Sequence, residues 1–191
     1  MILRFFVALW FACCLVPLTV ANAGAAPQVV RVDPVLSDGK LEINADINFD
    51  LNPQLRDAAL RGVSLYFTAD LVITEPRWWW FNRNVVQIER TSRVSYNALT
   101  RQWRVSIDDV GWPVGSLDEA MQLITRMRGW QVAEAGQFEP GEHYTGTLRL
   151  RLDTSQLARP FQVNALNSSS WSVETPWANF SFAVSASGDA P

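Results

Sequence analysis

Few residues in this chain could do acid–base, metal or nucleophilic chemistry. His143 is the only histidine, and it stands in the polar stretch 139–144, which also contributes two glutamates. One imidazole and two loop carboxylates are a weak ligand set for a metal ion. A hydrolytic triad would need a serine elbow of the Gly-x-Ser-x-Gly type, which the sequence lacks. His143 is therefore predicted to be a solvated loop residue, and no catalytic residue, metal or cofactor is predicted.

Two groups of carboxylates point to turns and solvent-exposed faces rather than to an active site. Asp108 and Asp109 precede a Gly-Trp-Pro sequence, and a carboxylate pair beside a tryptophan is compatible with a glycosidase cleft. Neighbouring strand residues point apart, however, whereas a glycosidase needs carboxylates that converge across about 5–9 Å. A polar turn is predicted instead. Glu42, Asp46 and Asp50 would spread over about 13 Å or more of strand, too far to share one calcium ion.

The most unusual stretch is aromatic: residues 75–84 read EPRWWWFNRN. In an extended chain successive side chains point to opposite sides, so Trp78–Phe81 makes both sides apolar. Either the core covers both sides, or one side is an exposed ridge that stacks on sugar rings or enters lipid headgroups, with flanking arginines on phosphate. The candidate binding surface consists of Arg77, Trp78, Trp79, Trp80, Phe81, Arg83, Arg101 and Trp103.

Other arginines are predicted to project from strands, namely Arg101, Arg104, Arg149 and Arg151. If their strands neighbour the acidic strand that contains Glu42, these arginines form cross-strand ion pairs. If not, they form a basic patch for anionic envelope polymers. The formal net charge is −3 and no basic block is present, so a nucleic-acid partner is not predicted.

The scaffold for these residues is predicted from hydrophobic periodicity. The period is two over most of the chain, as in residues 41–50, where apolar and polar residues alternate. Strands are predicted at 41–50, 63–73, 85–91, 93–98, 102–107, 145–153, 171–175 and 178–184. A short helix is predicted at 53–61, and a longer one at 116–128, where Ser116 and Glu119 form a capping box and Gly129 ends the helix. The fold class is mainly β: an antiparallel β-sandwich or strongly twisted sheet with one packed helix.

The first 23 residues are predicted to be a secretory signal peptide. One basic residue, Arg4, precedes an apolar run, and the run ends near Ala21-Asn22-Ala23, a pattern that signal peptidase accepts. A retained membrane anchor is the alternative, but the apolar run is short for a span of about 20 residues. Residues 24–191 would then be a single β-rich periplasmic domain without a transmembrane span. Both cysteines, Cys13 and Cys14, would leave with the signal.

Four segments resemble a known family: RWWWFNRNVV, YNALTRQWRVS, SLDEAMQLITRMRGWQV and RLRLDTSQLARPFQVNALNSSSWSVETPW. The chain is similar in order, over nearly all of residues 24–191, to the domain-of-unknown-function family 4390. Its members are small exported proteobacterial proteins, also described as proline-rich signal peptide proteins. One departure is Ala158, where the family usually has Leu-Pro-x-Pro; here only Pro160 remains, which is expected to loosen one turn.

The resemblance implies export but no catalytic residues. It also implies a gene neighbourhood that often includes a sensor histidine kinase. Three functions are therefore considered. The first is a non-catalytic periplasmic protein that binds an envelope polymer, lipid or membrane protein through its aromatic and arginine residues. The second is an accessory protein of a membrane sensor kinase. The third is a carbohydrate-active enzyme, which has the least support because no acid–base pair is evident.

Overall fold

Among the residues that the structure describes, nine strands form two antiparallel sheets, accompanied by three helices. The structure is a computed structural model that describes residues 26–77, 82–166 and 168–184. In chain order the elements are β1 (Gln28–Ser37), β2 (Lys40–Asn48), α1 (Pro53–Leu60), β3 (Leu65–Glu75), β4 (Arg83–Asn97), β5 (Gln102–Ile107), β6 (Val110–Val114), α2 (Leu117–Thr125), β7 (Arg126–Glu134), β8 (His143–Leu152), α3 (Arg159–Leu166) and β9 (Ala178–Ala183). Within those described residues, no helix is long and apolar enough to cross a membrane.

The two sheets form a sandwich, as the periodicity predicts. The smaller sheet has the order β1-β2-β7, and the larger one has the order β6-β5-β4-β3-β8-β9. Every neighbouring pair is antiparallel. The predicted mainly β fold with a packed helix is therefore confirmed. Helix α2 lies beside both sheets and contacts β2, β4 and β5.

The alternating residues form the core between the sheets. In β2 the predicted inward set is buried, with Leu41 and Ile43 fully inaccessible to solvent. Leu65, Phe67 and Leu71 of β3 are also fully buried. Burial of such a side chain contributes about 1.5–3 kcal/mol, so these two strands contribute a large share of the hydrophobic stabilisation of the sandwich.

The outer face of β3 is also partly covered, which the alternation does not predict. Thr68 and Asp70 point away from the sandwich core but are nearly inaccessible. After β8 the chain continues the pairing with β3 by one residue: the Asp153 N–H donates to the Tyr66 carbonyl at 2.8 Å. Further along, Arg151 and Glu174 form an isolated β-bridge. Arginine side chains of β8 cover Asp70 on this face. The residues that connect β8 to β9, 153–177, are called the cover segment here, and Glu174 near their end lies beside the other edge of β8.

Helix α2 has the predicted start but ends earlier than predicted. The Glu119 N–H donates to the Ser116 hydroxyl at 3.1 Å, and the Glu119 carboxylate accepts from the Gly115 N–H at 2.7 Å. The helix stops at Thr125 rather than at residue 128. Residues 126–134 instead pair with β2, where Met127 lies opposite Ala45 and is buried. Sheet pairing and core burial thus override the helical periodicity of the sequence.

Gly129 lies within β7 and does not end the helix. Its φ of +59° is a left-handed conformation that favours glycine. The pairing of β2 with β7 shifts register between Ile43 and Ala45, opposite this part of β7. The Gly129 N–H donates to the Asn44 side-chain oxygen at 2.8 Å. Gly129 therefore allows a β-bulge in the smaller sheet.

The remaining differences from the predicted elements concern strands and short helices. Strand β4 is continuous over 83–97 instead of breaking at Ser92, and residues 171–175 form only a single β-bridge, at Glu174, rather than a full strand. The sequence prediction also omits β1, β6 and α3. Ala158 does not leave a loose turn, because its carbonyl accepts from the Phe161 N–H at 2.8 Å at the start of α3. Helix α1 (Pro53–Leu60) matches its predicted position and is capped by the Asn52 side chain.

Candidate functional site

The aromatic segment belongs to the connection between β3 and β4, and its base is the connected end of this hairpin. Glu75 of β3 and Arg83 of β4 are the last paired residues. The Arg83 Nε donates to the Glu75 carboxylate at 2.9 Å, and the Arg77 Nε contacts the same carboxylate at 3.3 Å. The hydrogen bond from Arg83 is the main reason that the pKa of Glu75 is lowered, and Arg77 adds to the shift. Two arginines thus share one carboxylate, which leaves one positive charge in excess.

Trp78, Trp79, Trp80 and Phe81 lie outside the described residues. The residues that flank them are described: Pro76 and Arg77 before the segment, and Asn82 and Arg83 after it, are exposed. We call residues 76–82 the hairpin tip. The chain enters and leaves the aromatic segment through solvent-exposed, polar or charged residues.

Arg101 and Trp103 do not join the hairpin tip, in contrast to their grouping in the candidate surface. They follow the far end of β4, which is 15 residues long, or roughly 45 Å of extended strand. Arg101 is an exposed turn residue with a φ of +55°. Trp103 is only 7% exposed and packs on Tyr96, with ring centroids 4.7 Å apart. The candidate surface therefore divides into a hairpin tip, a separate turn arginine and a core tryptophan.

A buried ion network occupies the outer face of the larger sheet. Asp70 of β3 accepts from the Arg149 Nε at 2.7 Å and from the Arg151 Nε at 3.0 Å, both on the neighbouring strand β8. The hydrogen bond to Asp70 is the largest cause of a raised pKa for Arg151. Arg149 and Arg151 therefore neither pair with the acidic strand β2 nor form a basic patch. The sequence does carry one signal for this network: Asp70 is the only charged residue between Arg61 and Glu75, in an otherwise uncharged strand.

The cover segment is attached to this network. Glu174 accepts from the Arg149 Nη1 at 3.3 Å, and the Arg149 guanidinium lies 4.5 Å from the centre of the Trp177 ring. At the other end of the segment, Asp153 accepts hydrogen bonds from Ser155 and from Gln156. Partial burial opposes ionisation of Asp153, but these hydrogen bonds outweigh it and lower its pKa. The network therefore holds the end of the cover segment at Glu174 and Trp177, while Asp153 caps the short turn at the start of the segment.

Asp108 and Asp109 form the predicted polar turn. They connect β5 to β6, with left-handed φ values of +48° and +68°. The Asp108 carboxylate lies 3.1 Å from the Nε of Arg90 and forms an ion pair with it. The two groups are not aligned for a hydrogen bond, and the buried Arg90 Nε has no hydrogen-bond partner among the described residues. The turn borders a groove of about 370 Å³ on the outer face that also includes Glu89. Asp108 thus serves as the ion partner of Arg90 and borders this groove.

The other candidate ligands do not converge. His143 is exposed as the first residue of β8, at the end of the sheet that is opposite the groove. Glu42 and Asp46 lie in the smaller sheet, where Asp46 pairs with Arg128 of β7. Over the described ranges, no group of three or more His, Cys, Asp or Glu side chains is arranged to hold a metal ion.

The family model described as a domain of unknown function, DUF4390, matches residues 25–181. The chain therefore belongs to this family, which confirms the resemblance seen in the sequence. No curated protein and no solved structure matches the chain.

Proposed function

We propose that this member of the DUF4390 family is a non-catalytic periplasmic protein that binds a component of the bacterial envelope through the hairpin tip. The observation that carries the proposal is the concentration of four consecutive aromatic residues in a connection whose flanking residues, such as Arg77 and Arg83, are exposed. The periplasmic location in this proposal rests on the predicted signal peptide.

The aromatic residues would supply most of the affinity. Transfer of one such side chain from water into an apolar environment is worth about 1.5–3 kcal/mol. Tryptophan suits an interface between water and lipid, or the face of a sugar ring, because its apolar ring carries one polar N–H group. Two aromatic residues inserted together would account for a dissociation constant in the millimolar range or below.

The arginines at the base would favour anionic components. Arg77 and Arg83 are both tied to Glu75, but these ion pairs are solvent-exposed. Exposed ion pairs contribute at most about 1 kcal/mol, so a phosphate could take either arginine from Glu75 at low cost. The excess positive charge makes binding to an anionic surface weaker as the salt concentration rises.

The test is a titration of the purified protein with anionic liposomes, lipopolysaccharide and peptidoglycan fragments, followed by tryptophan fluorescence and cosedimentation. We expect a saturable blue shift with at least one of these ligands. The double substitution Trp79→Ala/Trp80→Ala should weaken binding by about a hundredfold, from the loss of roughly 3 kcal/mol. Far-UV circular dichroism should show that the double variant remains folded.

Two other tryptophans provide matched controls. Trp112 in β6 is 44% exposed and Trp177 in the cover segment is 43% exposed, and both lie outside the hairpin tip. Trp112→Ala and Trp177→Ala should leave the affinity unchanged. If the tip variant binds as tightly as the wild type, or if none of the ligands binds, the proposal is wrong and a protein partner should be sought by crosslinking in cells.

A further inference from the structure

A second, polar surface lies on the outer face of the larger sheet, away from the hairpin tip. It is the groove beside the β5–β6 turn, whose lining includes Tyr66, Glu89, Arg93, Asp108, Asp109 and Gln156. A smaller groove of about 290 Å³ adjoins it and shares Tyr66 and Gln156. Its far end is lined by Arg61 and Phe161. Because they share two lining residues, the two grooves are neighbours, and together we call them the outer-face trough.

The trough offers polar groups that the protein itself leaves largely unused. Arg93 is exposed, and within the described part of the chain neither Arg93 nor Asp109 has an ion-pair partner. Glu89 has one distant contact, 3.9 Å from Arg151. Charges of both signs thus line the same channel without neutralising one another, which makes them available to a ligand.

The position of the trough argues against a peptide held by its main chain. Peptides that bind sheets this way add a strand at an exposed edge. The trough lies over β3, β4 and β5, and all three are interior strands of the six-stranded order. Their backbone groups are already paired with neighbouring strands. A ligand here must be recognised through side chains.

The charge in the trough argues against an acidic ligand. Three carboxylates, on Glu89, Asp108 and Asp109, line the larger groove together with one arginine, Arg93. Arg90 pairs with Asp108, so the carboxylates of Glu89 and Asp109 stand against the single arginine Arg93, an excess of one negative charge. A polyanion would have to approach against this excess.

We propose that the outer-face trough binds a neutral or amine-bearing saccharide. Sugar hydroxyl groups both donate and accept hydrogen bonds, so neighbouring hydroxyls match carboxylate acceptors and the guanidinium donors of Arg93. Tyr66, at the junction of the two grooves, supplies an aromatic side chain for the apolar side of a sugar ring. The Gln156 side chain is fixed by its 2.8 Å hydrogen bond to Asp153. The larger groove falls within the size range of small-molecule sites, and the second groove extends it along a chain of sugars.

The experiment is isothermal titration calorimetry of the purified protein with three tetrasaccharides. They are a neutral N-acetylglucosamine tetramer, its cationic de-N-acetylated form, and an acidic galacturonic acid tetramer. We expect saturable binding of the neutral or the cationic probe and at least tenfold weaker binding of the acidic one. Amide resonances of residues in the trough should shift in nitrogen–proton NMR spectra, while those at the hairpin tip should not.

Two substitutions and one control locate the site. Arg93→Gln, at an exposed position, and Tyr66→Leu, which preserves an apolar side chain at a partly buried position, should each weaken binding at least tenfold. Arg101→Gln is the matched control, because Arg101 is an exposed arginine outside both grooves. Equal affinity in Arg93→Gln and wild type, preference for the acidic probe, or failure of all three probes to bind would overturn the proposal.

Discussion

Substitution of Asp70 by asparagine should destabilise the protein by about 2 kcal/mol. Asp70 is only 7% exposed and accepts charge-assisted hydrogen bonds from Arg149 and Arg151. Removing one partner of a buried ion pair costs about 3–5 kcal/mol. The loss here should be smaller, because both arginine side chains are about one-quarter exposed and retain other acidic neighbours. Asparagine also keeps the volume and one hydrogen-bond acceptor.

The assay is urea unfolding followed by far-UV circular dichroism. In a thermal melt of the same variant, a loss of about 2 kcal/mol should lower the melting temperature by roughly 4–8 °C for a domain of this size. Asp46→Asn is the matched control, because Asp46 also pairs with an arginine, Arg128, but both side chains are about half exposed. The control should lose less than about 0.5 kcal/mol.

Two results would refute this reasoning. One is equal destabilisation by Asp70→Asn and Asp46→Asn, which would mean that burial of the network adds nothing. The other is additivity in a double-mutant cycle between Asp70→Asn and Arg149→Gln, because residues in one ion network should be coupled by at least about 0.5 kcal/mol.

Two further predictions test the packing of the sheet edge and the charge at the hairpin tip. Gly146→Ala should destabilise the protein by about 1–3 kcal/mol in urea unfolding, because its new Cβ would meet the Phe180 ring, whereas Gly136→Ala, with open space around its Cβ, should change stability little. The pKa of Glu75, followed by NMR, should lie below its ordinary value and rise in Arg83→Gln. Since the folded-state pKa is depressed, this stabilisation is present above the unfolded-state pKa and is lost as pH falls through the folded-state value; an unshifted Glu75 would contradict the structure.

Local patterns in the sequence predict the elements that one stretch of chain determines by itself. The alternation in residues 41–50 identifies the buried side of β2, and the capping box at Ser116 identifies the start of α2. The two-residue turn at Asp108 and Asp109 is also encoded locally, because short polar residues tolerate left-handed φ values. These features depend on neighbours within a few positions along the chain.

Features that depend on strand order could not be predicted in this way. Met127 continues the apolar stripe of α2, but its burial opposite Ala45 places it in β7. The pairing of Arg149 and Arg151 with Asp70 requires β8 to lie beside β3, although about 80 residues separate the partners in sequence. A period of two tells which residues share a face, but not which strand supplies the residues next to them.

The ion network around Asp70 is connected through neighbouring side chains to the wall of the outer-face trough. It is not connected in this way to the hairpin tip. Asp70 holds Arg151, Arg151 lies 3.7 Å from Asp153, and Asp153 accepts the hydrogen bond that fixes Gln156 in the trough wall. The base of the tip is held instead by Glu75, the last residue of the same strand. Asp70→Asn should therefore weaken saccharide binding while the hairpin tip binds its envelope ligand as tightly as in the wild type, because the two surfaces share the sheet but no side chain.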